Sequence, residues 1–274
     1  MNLPLHIVDV FAERALEGNQ LAVIRDAGAL TGEQMQDIAR EMNFSETTFV
    51  LEERQNEATV RIFTPEWELP FAGHPTLGTA WVLAAGHGDY TLQLPQDRVA
   101  VSFEEGVGWM VSPAVEFHGD LDNAAALLGL PPSALSPRFP PMLAEVGPKF
   151  ALIGVKGLAE LRAAVPDMAL RRQMLDAGMG VQCLFVFTEE AYGDDADFAA
   201  RMFFESGWLR EDPATGSANT AFAAYLRKLE GTGHRYVVDQ GVEMRRPSRL
   251  YLEIEDRLRV GGRVFPVVQG ALTL

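Results

Sequence analysis

The chain has 274 residues, and its 23 Lys and Arg against 38 Asp and Glu leave a formal net charge of −15. A surface this acidic repels a phosphate backbone and so argues against nucleic-acid partners and anionic membranes. With 47% apolar and 22% charged residues the chain can bury a real core, and its length fits two domains or lobes at about 150 residues each.

The opening, MNLPLHIVDVFAE, carries Asp9 and Glu13 and no basic leader, so it does not read as a signal peptide. Pro4–Phe11 and Gln20–Ile24 are predicted strands. Thr31 and Gln34 make a capping box, and Met35, Ile38, Ala39 and Met42 follow on one face of an amphipathic helix. Thr47–Glu53 and Ala58–Thr64 alternate with period two and are predicted strands, with Glu46 in the turn before the first. Pro75–Ala85 reads as a helix with Pro75 at its first position, where a missing N–H costs nothing. Short strands follow at Thr91–Leu94, Val99–Phe103 and Trp109–Ser112.

A helix is predicted over Asp120–Leu128. A Pro-rich crossing (Pro131, Pro132, Pro137, Pro140, Pro141) comes next and is the expected connection between lobes. The lobes themselves are set at 1–113, with a last strand at about 266–274 as a candidate to join it, and 114–265. Beyond the prolines, Phe150–Val155, Gln182–Phe187, Arg201–Glu205, Arg235–Asp239, Leu250–Glu255 and Val264–Val268 are predicted strands. Leu158–Val165, Met168–Ala177 and Ser217–Leu226 are predicted helices.

A diluted repeat links the halves. Phe63-Thr-Pro-Glu-Trp67 leads to Phe71-Ala-Gly-His-Pro-Thr-Leu-Gly-Thr-Ala-Trp81, and Phe204-Glu-Ser-Gly-Trp208 leads to Asp212-Pro-Ala-Thr-Gly-Ser-Ala-Asn-Thr-Ala-Phe222. The Phe and Trp pairs fit an offset of 141, whereas aligning Gly73 with Gly216 needs 143. Both segments end in a helix that is apolar on nearly every side, and such a helix must be enclosed. A curved sheet around a central helix, once per half, is the simplest enclosure.

The N-terminus of each such helix offers unpaired N–H groups and a partial positive charge, a natural place for a carboxylate. The bland alternative is that Thr76 and Ser217 cap their own helices. Gly73 and Gly216 allow a sharp backbone turn and close approach of a ligand. His74 lies at the first helix mouth and Asp212 just before the second. With Glu46 they could move protons on a substrate carbon, if burial brings a carboxylate towards neutrality. Taken singly, each has a bland reading, which for the two carboxylates is the favoured one: Glu46 a solvated turn residue, Asp212 an N-cap and His74 a satisfied half-buried histidine.

Other chemistries lack their motifs. There is no G-x-S-x-G, no phosphate-binding G-x-x-x-x-G-K-[ST] and no G-x-G-x-x-G after a strand. The histidines at 6, 74, 87, 118 and 234 never fall four apart, so no HExxH-type metal site exists, and Glu116 with His118 reads as a surface pair. The lone cysteine, Cys183, excludes an internal disulfide, a Cys-rich zinc site and a two-cysteine mechanism, and it fits a reducing, cytoplasmic setting. The longest apolar run, Thr79–Gly86, is far short of the roughly 20 residues a membrane span needs.

Asp9-Val-Phe11, Gly18-Asn-Gln-Leu-Ala-Val23, Ser45-Glu-Thr-Thr-Phe-Val50, Phe63-Thr-Pro65, Gly73-His-Pro-Thr-Leu77, Glu211-Asp-Pro-Ala-Thr-Gly-Ser-Ala218, Gln240-Gly241 and Arg246-Pro-Ser-Arg249 together resemble, in order, the phenazine-biosynthesis PhzF-like isomerase family. The resemblance implies the diaminopimelate-epimerase fold, an α+β architecture of two pseudo-symmetric lobes. Each lobe is a mostly antiparallel sheet wrapped around a central buried helix, and the site lies between them. It further implies acid/base isomerisation without cofactor or metal, and suggests a homodimer. The facing cysteines of the epimerases have no counterpart here. By the same resemblance Glu46 is the proton-shuttling glutamate, with His74 and Asp212 flanking it, and Gly73, Gly216 and Ser217 hold the substrate. Pro75 and Asn219 stand where the family often has alanine and histidine.

The expectation is therefore an isomerase moving a proton on a small carboxylated substrate. Two rivals are a ligand-binding protein of the same fold that has lost catalysis, and a hydrolase using Ser217.

Overall fold

In the computed structural model, which describes residues 1–206 and 208–274, the chain runs β1 (Asn2–Val10), β2 (Asn19–Ile24), α1 (Gly32–Met42), β3 (Glu46–Arg54), β4 (Glu57–Phe63), β5 (Glu68–Leu69), α2 (Gly73–Ala84), β6 (Gly88–Gln93), β7 (Arg98–Glu104) and β8 (Val107–Val111). It continues with β9 (Glu116–Asp120), α3 (Ala124–Leu127), β10 (Met142–Glu145), β11 (Lys149–Gly154), α4 (Leu158–Ala163), α5 (Met168–Asp176), β12 (Cys183–Thr188), β13 (Phe198–Ser206) and β14 (Trp208–Asp212). The last elements are α6 (Gly216–Glu230), β15 (His234–Gln240), β16 (Ser248–Ile254), β17 (Leu258–Gly262) and β18 (Val264–Thr273). Met1–Val111 with Gly261–Leu274 forms one unit and Ser112–Val260 the other, so the chain re-enters the first unit within β17.

In the first unit the strands pair in the order β18, β1, β2, β3, β4, β6, β7, β8. Two of these pairs are parallel, β2–β3 and β4–β6, and each is bridged by a helix, α1 and α2 respectively. A parallel pair requires such a crossover, whereas the antiparallel pairs need only turns. The capping box fixes the start of α1: Gln34 N donates to Thr31 Oγ1 at 3.2 Å, and Thr31 N donates to Gln34 Oε1 at 2.9 Å. Met35, Ile38 and Ala39 then face Ile24, Phe49 and Phe63.

The strands curve around α2, which touches β1, β2, β3, β6, β7 and β8. Its residues from His74 to Ala80 are all buried. The fit needs a glycine at 78, where a Cβ would come within 2.6 Å of Leu21 and 2.7 Å of Val10. This is the enclosure that an all-round apolar helix demands.

The second unit repeats the plan. Its strands pair in the order β9, β10, β11, β12, β13, β15, β16, with β14 folded back on β13. Again two pairs are parallel, β11–β12 across α4 and α5, and β13–β15 across α6. The strand β12 is buried throughout. Leu184 and Val186 join the cluster with Leu158, Leu161 and Met174, while the Phe185 and Phe187 rings pack on Phe222 of α6 at 5.4 and 4.4 Å. A strand covered on both faces reads as an unbroken apolar run, as Cys183–Thr188 does. The matched parallel pairs also settle the repeat. Glu57 and Phe198 open equivalent ladders 141 apart, Gly73 and Gly216 open α2 and α6 143 apart, and the segment between ladder start and helix is two residues longer in the second copy.

Several expectations need correction. The prolines at 131–141 do not join the units. They lie inside the second, where Ala134 and Phe139 are buried and Ser136 N donates to Gly154 O at 2.9 Å. Pro131, Pro132, Pro137 and Pro140 are exposed and Pro141 is half-buried, so the stretch runs over the surface of that unit, pinned by its buried apolar residues. The helix expected over Asp120–Leu128 shrinks to Ala124–Leu127, because Asp120 still belongs to β9 and Asn123 takes a left-handed conformation with φ 61°. Pro75 is the third residue of α2 and not its first, since the extended residue preceding the helix is Ala72. Glu46 is the first residue of β3 and not a turn residue. Among the described residues no helix is long and apolar enough to cross a membrane.

Candidate active site

In the first unit the parallel β2–β3 pair and α2 bring three segments together. Leu21 of β2 is registered with Glu46 of β3, so Asn19 and Gln20 at the start of β2 lie close to the start of β3. The mouth of α2 supplies His74, whose Nε2 stands 3.4 Å from Glu46 Oε2. The two side chains are 6% and 16% exposed, so the pair is largely shielded yet Glu46 still reaches solvent. Asn19 Nδ2 lies 3.5 Å from His74 Nδ1, and the ring also bonds to the Gln20 backbone.

Burial is the largest influence on His74 and lowers its pKa to about 3; the Gln20 carbonyl opposes this only in part. The ring is neutral at pH 7. It can orient a neighbour, but it holds no extra proton to deliver.

Neither helix mouth is closed by the side chain of its N-cap residue. Before α2 stands Ala72, and the Thr76 hydroxyl donates to the Ala72 carbonyl at 2.7 Å instead of accepting from a first-turn N–H. Before α6 stands Thr215, which turns its hydroxyl to the Asp212 carboxylate. The capping readings of Thr76 and Asp212 therefore do not hold. Gly73 and Gly216 are each the first residue of their helix, and Ser217 is the second residue of α6, half-buried.

Asp212 ends β14 and is buried at 9% exposure. Around it, Gln240 at the end of β15 donates to the Asp212 carbonyl at 2.8 Å and to Thr215 Oγ1 at 3.2 Å. Asn219, fully buried in the first turn of α6, donates to the Thr215 carbonyl and to Gln240 Oε1, both at 3.0 Å. Thus the structure joins Glu46, His74 and Gly73 in one constellation of the first unit. Asp212, Gly216 and Ser217 form another, in the second unit.

Sequence reading assigned no role to Asn19, Gln20, Thr215 or Gln240. All four stand inside the quoted motifs Gly18-Asn-Gln, Ala-Thr-Gly and Gln240-Gly241. Asn19 and Gln240 are buried amides within motifs, and that was the available signal for them; Gln20 is exposed and acts through its backbone, and Thr215 is a half-buried hydroxyl residue, so neither offered one.

Cys183 takes no part in either constellation. It is buried in β12, and burial pushes its thiol up to about 12, so it carries no thiolate at neutral pH. His118 pairs with Glu145 across the β9–β10 ladder at 2.7 Å, not with Glu116. Among the described residues Glu116, His118 and Glu145 are the group whose atoms could gather on a metal ion. They are exposed or half-exposed, and Lys149 already stands 3.3 Å from Glu145.

The family model described as phenazine biosynthesis-like protein matches residues 8–270. The trans-2,3-dihydro-3-hydroxyanthranilate isomerase of Pseudomonas aeruginosa is 37% identical over 262 residues, 91% of this chain and 89% of that one. Among solved structures, a predicted epimerase of Pseudomonas aeruginosa superposes with a TM-score of 0.83 at 32% identity, covering 99% of both chains. A PhzF-family phenazine biosynthesis protein of Bacillus anthracis superposes at 0.88 over the whole of both chains; at 22% identity that match speaks for the fold alone. A two-unit α+β chain with a helix enclosed in each curved sheet, matched from end to end by these relatives, belongs to the phenazine biosynthesis-like family and is an isomerase.

Proposed function

We propose that the chain catalyses a proton shift on a small carboxylated substrate, with Glu46 taking the proton from one carbon and returning it at another. The observation that carries this reading is the 3.4 Å approach of Glu46 to a buried, neutral His74 at a helix mouth whose N-cap residue offers no side-chain cap. A carboxylate must change protonation state twice in each turnover, as base and then as acid. A neutral imidazole beside it can hold its oxygen in place without competing for the proton.

In the same reading the first N–H groups of α2, from Gly73 onward, hold the substrate carboxylate, which removal of a neighbouring proton makes more electron-rich. Asp212, with the backbone of Gly216 and Ser217 at the start of α6, orients the rest of the molecule. None of these steps calls for a metal or a cofactor, since the carboxylate and the helix ends supply both the base and the anion-stabilising charge.

The relative's substrate, trans-2,3-dihydro-3-hydroxyanthranilate, is one such acid and the first to test. Incubation in deuterated buffer, followed by proton NMR, should show isomerisation with solvent deuterium entering at the carbon that gains the proton. Glu46→Gln should lower the rate by about 10²–10⁴-fold, the usual worth of a positioned acid/base group. Full turnover by that variant would take Glu46 out of the mechanism.

A further inference from the structure

The hydrogen bonds of the two amides next to Asp212 can run in one direction only. Gln240 is fully buried, and one atom of its amide lies 2.8 Å from the Asp212 carbonyl oxygen. A carbonyl only accepts, so that atom is the nitrogen, and the orientation of the whole amide follows. The same nitrogen reaches Thr215 Oγ1 at 3.2 Å and can only donate to it. Asn219 is oriented by the same logic, because its Nδ2 faces the Thr215 carbonyl at 3.0 Å; its second hydrogen then goes to Gln240 Oε1, also at 3.0 Å. Gln240 Oε1 further accepts from Thr215 N at 3.4 Å. Thr215 Oγ1 therefore accepts from Gln240, and its single proton is turned to Asp212 Oδ2.

We infer that Thr215, clamped by Gln240, is a positioning residue that keeps Asp212 an ionised, acceptor-only carboxylate, so that Asp212 takes a hydroxyl or amino group of the substrate and never delivers the proton. The inference rests on the proposed reading in which Asp212 meets the substrate. A hydroxyl donated to a carboxylate favours the charged form, and such charge-assisted bonds are among the stronger ones. A protonated Oδ2 would bring a second hydrogen between the same two oxygens. Thr215 could relieve this only by turning its proton away from Oδ2 to the one position that the Gln240 amide leaves open, giving up its bond to Asp212.

Several charged groups on the surrounding elements are engaged elsewhere. On β13, Arg201 pairs with Glu211 of β14 at 2.8 Å and Glu205 pairs with Arg171 at 2.8 Å. On β14 the Arg210 guanidinium covers the Trp208 ring at 4.6 Å. On β15, Asp239 is held by Arg249 at 2.9 Å. Cys183 of β12 feels the Asp212 charge but stays a thiol, and the first turn of α6 contains no acidic residue. The hydroxyl of Thr215 is thus a local group placed to favour the charged form of Asp212.

The test is a carbon-detected NMR titration of the Asp212 carboxyl in the unliganded protein, which needs no substrate. The wild-type carboxyl should remain ionised well below neutral pH. Thr215→Val, which keeps the shape and removes the hydroxyl, should raise the titration midpoint by roughly half a pH unit or more, the order expected for one lost charge-assisted bond. Thr215→Ser should restore it. Should Thr215→Val fail to fold, Gln240→Met removes the clamp and should move the midpoint in the same direction. A wild-type midpoint at or above neutrality, or equal midpoints in wild type, the valine variant and the methionine variant, overturns the inference. Asp212→Asn in the deuterium-exchange assay reads the underlying proposal separately. Full turnover there removes Asp212 from the mechanism, whereas a crippled Asp212→Asn beside an unmoved titration overturns only the positioning role.

Discussion

His74 stands 3.4 Å from Glu46, Nε2 to Oε2, as a neutral ring whose burial lowers its pKa to about 3. The pairing is therefore not an ion pair of fixed opposite charges. A charged imidazolium would hold Glu46 ionised and hinder its turn as an acid, whereas a neutral ring leaves the carboxyl able to change state. Replacing His74 by Asn should keep a neutral polar side chain but lose the ring's reach to Glu46. The expected result is a fall in kcat with unfolding stability at neutral pH reduced by about 1–3 kcal/mol, the usual cost of disturbing one buried hydrogen-bonded group. Steady-state kinetics and chemical denaturation check both.

The same ring makes stability depend on pH. In the unfolded chain His74 takes up a proton near its ordinary value of 6.5, and in the folded chain only near 3. Between those values the unfolded state binds one more proton, so stability is lost as pH falls below about 6.5 and is fully present above it. The slope from this group is on the order of 1.4 kcal/mol per pH unit. Urea unfolding at pH 7 and pH 5 should show the wild type losing about 2 kcal/mol more than the His74→Asn variant. Parallel losses in the two proteins would show that His74 is hydrated in the folded state.

Packing around α2 gives a prediction in which two effects compete. Gly78→Ala would favour the helix by about 1 kcal/mol on intrinsic propensity. The added methyl, however, would meet Leu21 at 2.6 Å and Val10 at 2.7 Å, both side chains wholly buried. Overpacking of this kind costs about 1–3 kcal/mol, so the clash wins and the variant should be less stable than wild type. Thermal unfolding decides the sign. Because α2 carries His74, a shifted helix should also weaken turnover.

Much of this architecture was legible in the sequence, for reasons that can be named. α1 was readable because Thr31 and Gln34 mark its start and three apolar residues mark its inner face. α2 and α6 were readable because a helix without a polar side has to be enclosed. Less legible were features fixed by tertiary neighbours. The first residue of α2 depends on an extended Ala72, which no local signal announces. The Pro-rich segment reads as a connection because prolines punctuate loops, yet Phe139 and the bond from Tyr225 to the Pro140 carbonyl at 2.8 Å draw it into the second unit. In the candidate site Glu46 and His74 could be named from sequence, but not their approach, which needs the parallel register of β2 and β3. The clamp of Gln240 on Thr215 spans 25 residues and has no periodic trace at all.

Cys183 gives the last prediction. A thiol reacts as its thiolate, and access and charge decide how much thiolate is present. Cys183 is 9% exposed in a strand covered on both faces, and burial outweighs the nearby Arg171 in pushing its pKa up to about 12. The native protein should therefore resist alkylation by iodoacetamide at pH 8 over a period in which the urea-unfolded protein is fully labelled, as read by mass spectrometry. Cys183→Ala should leave turnover unchanged, because the thiol neither contacts the Glu46–His74 pair nor joins the network on Asp212. It should also cost about 1 kcal/mol or slightly more in stability, the effect of removing one small buried group from a tightly packed strand. Rapid labelling of the folded protein would show β12 opening locally, since a closed strand offers the reagent no path to the sulfur.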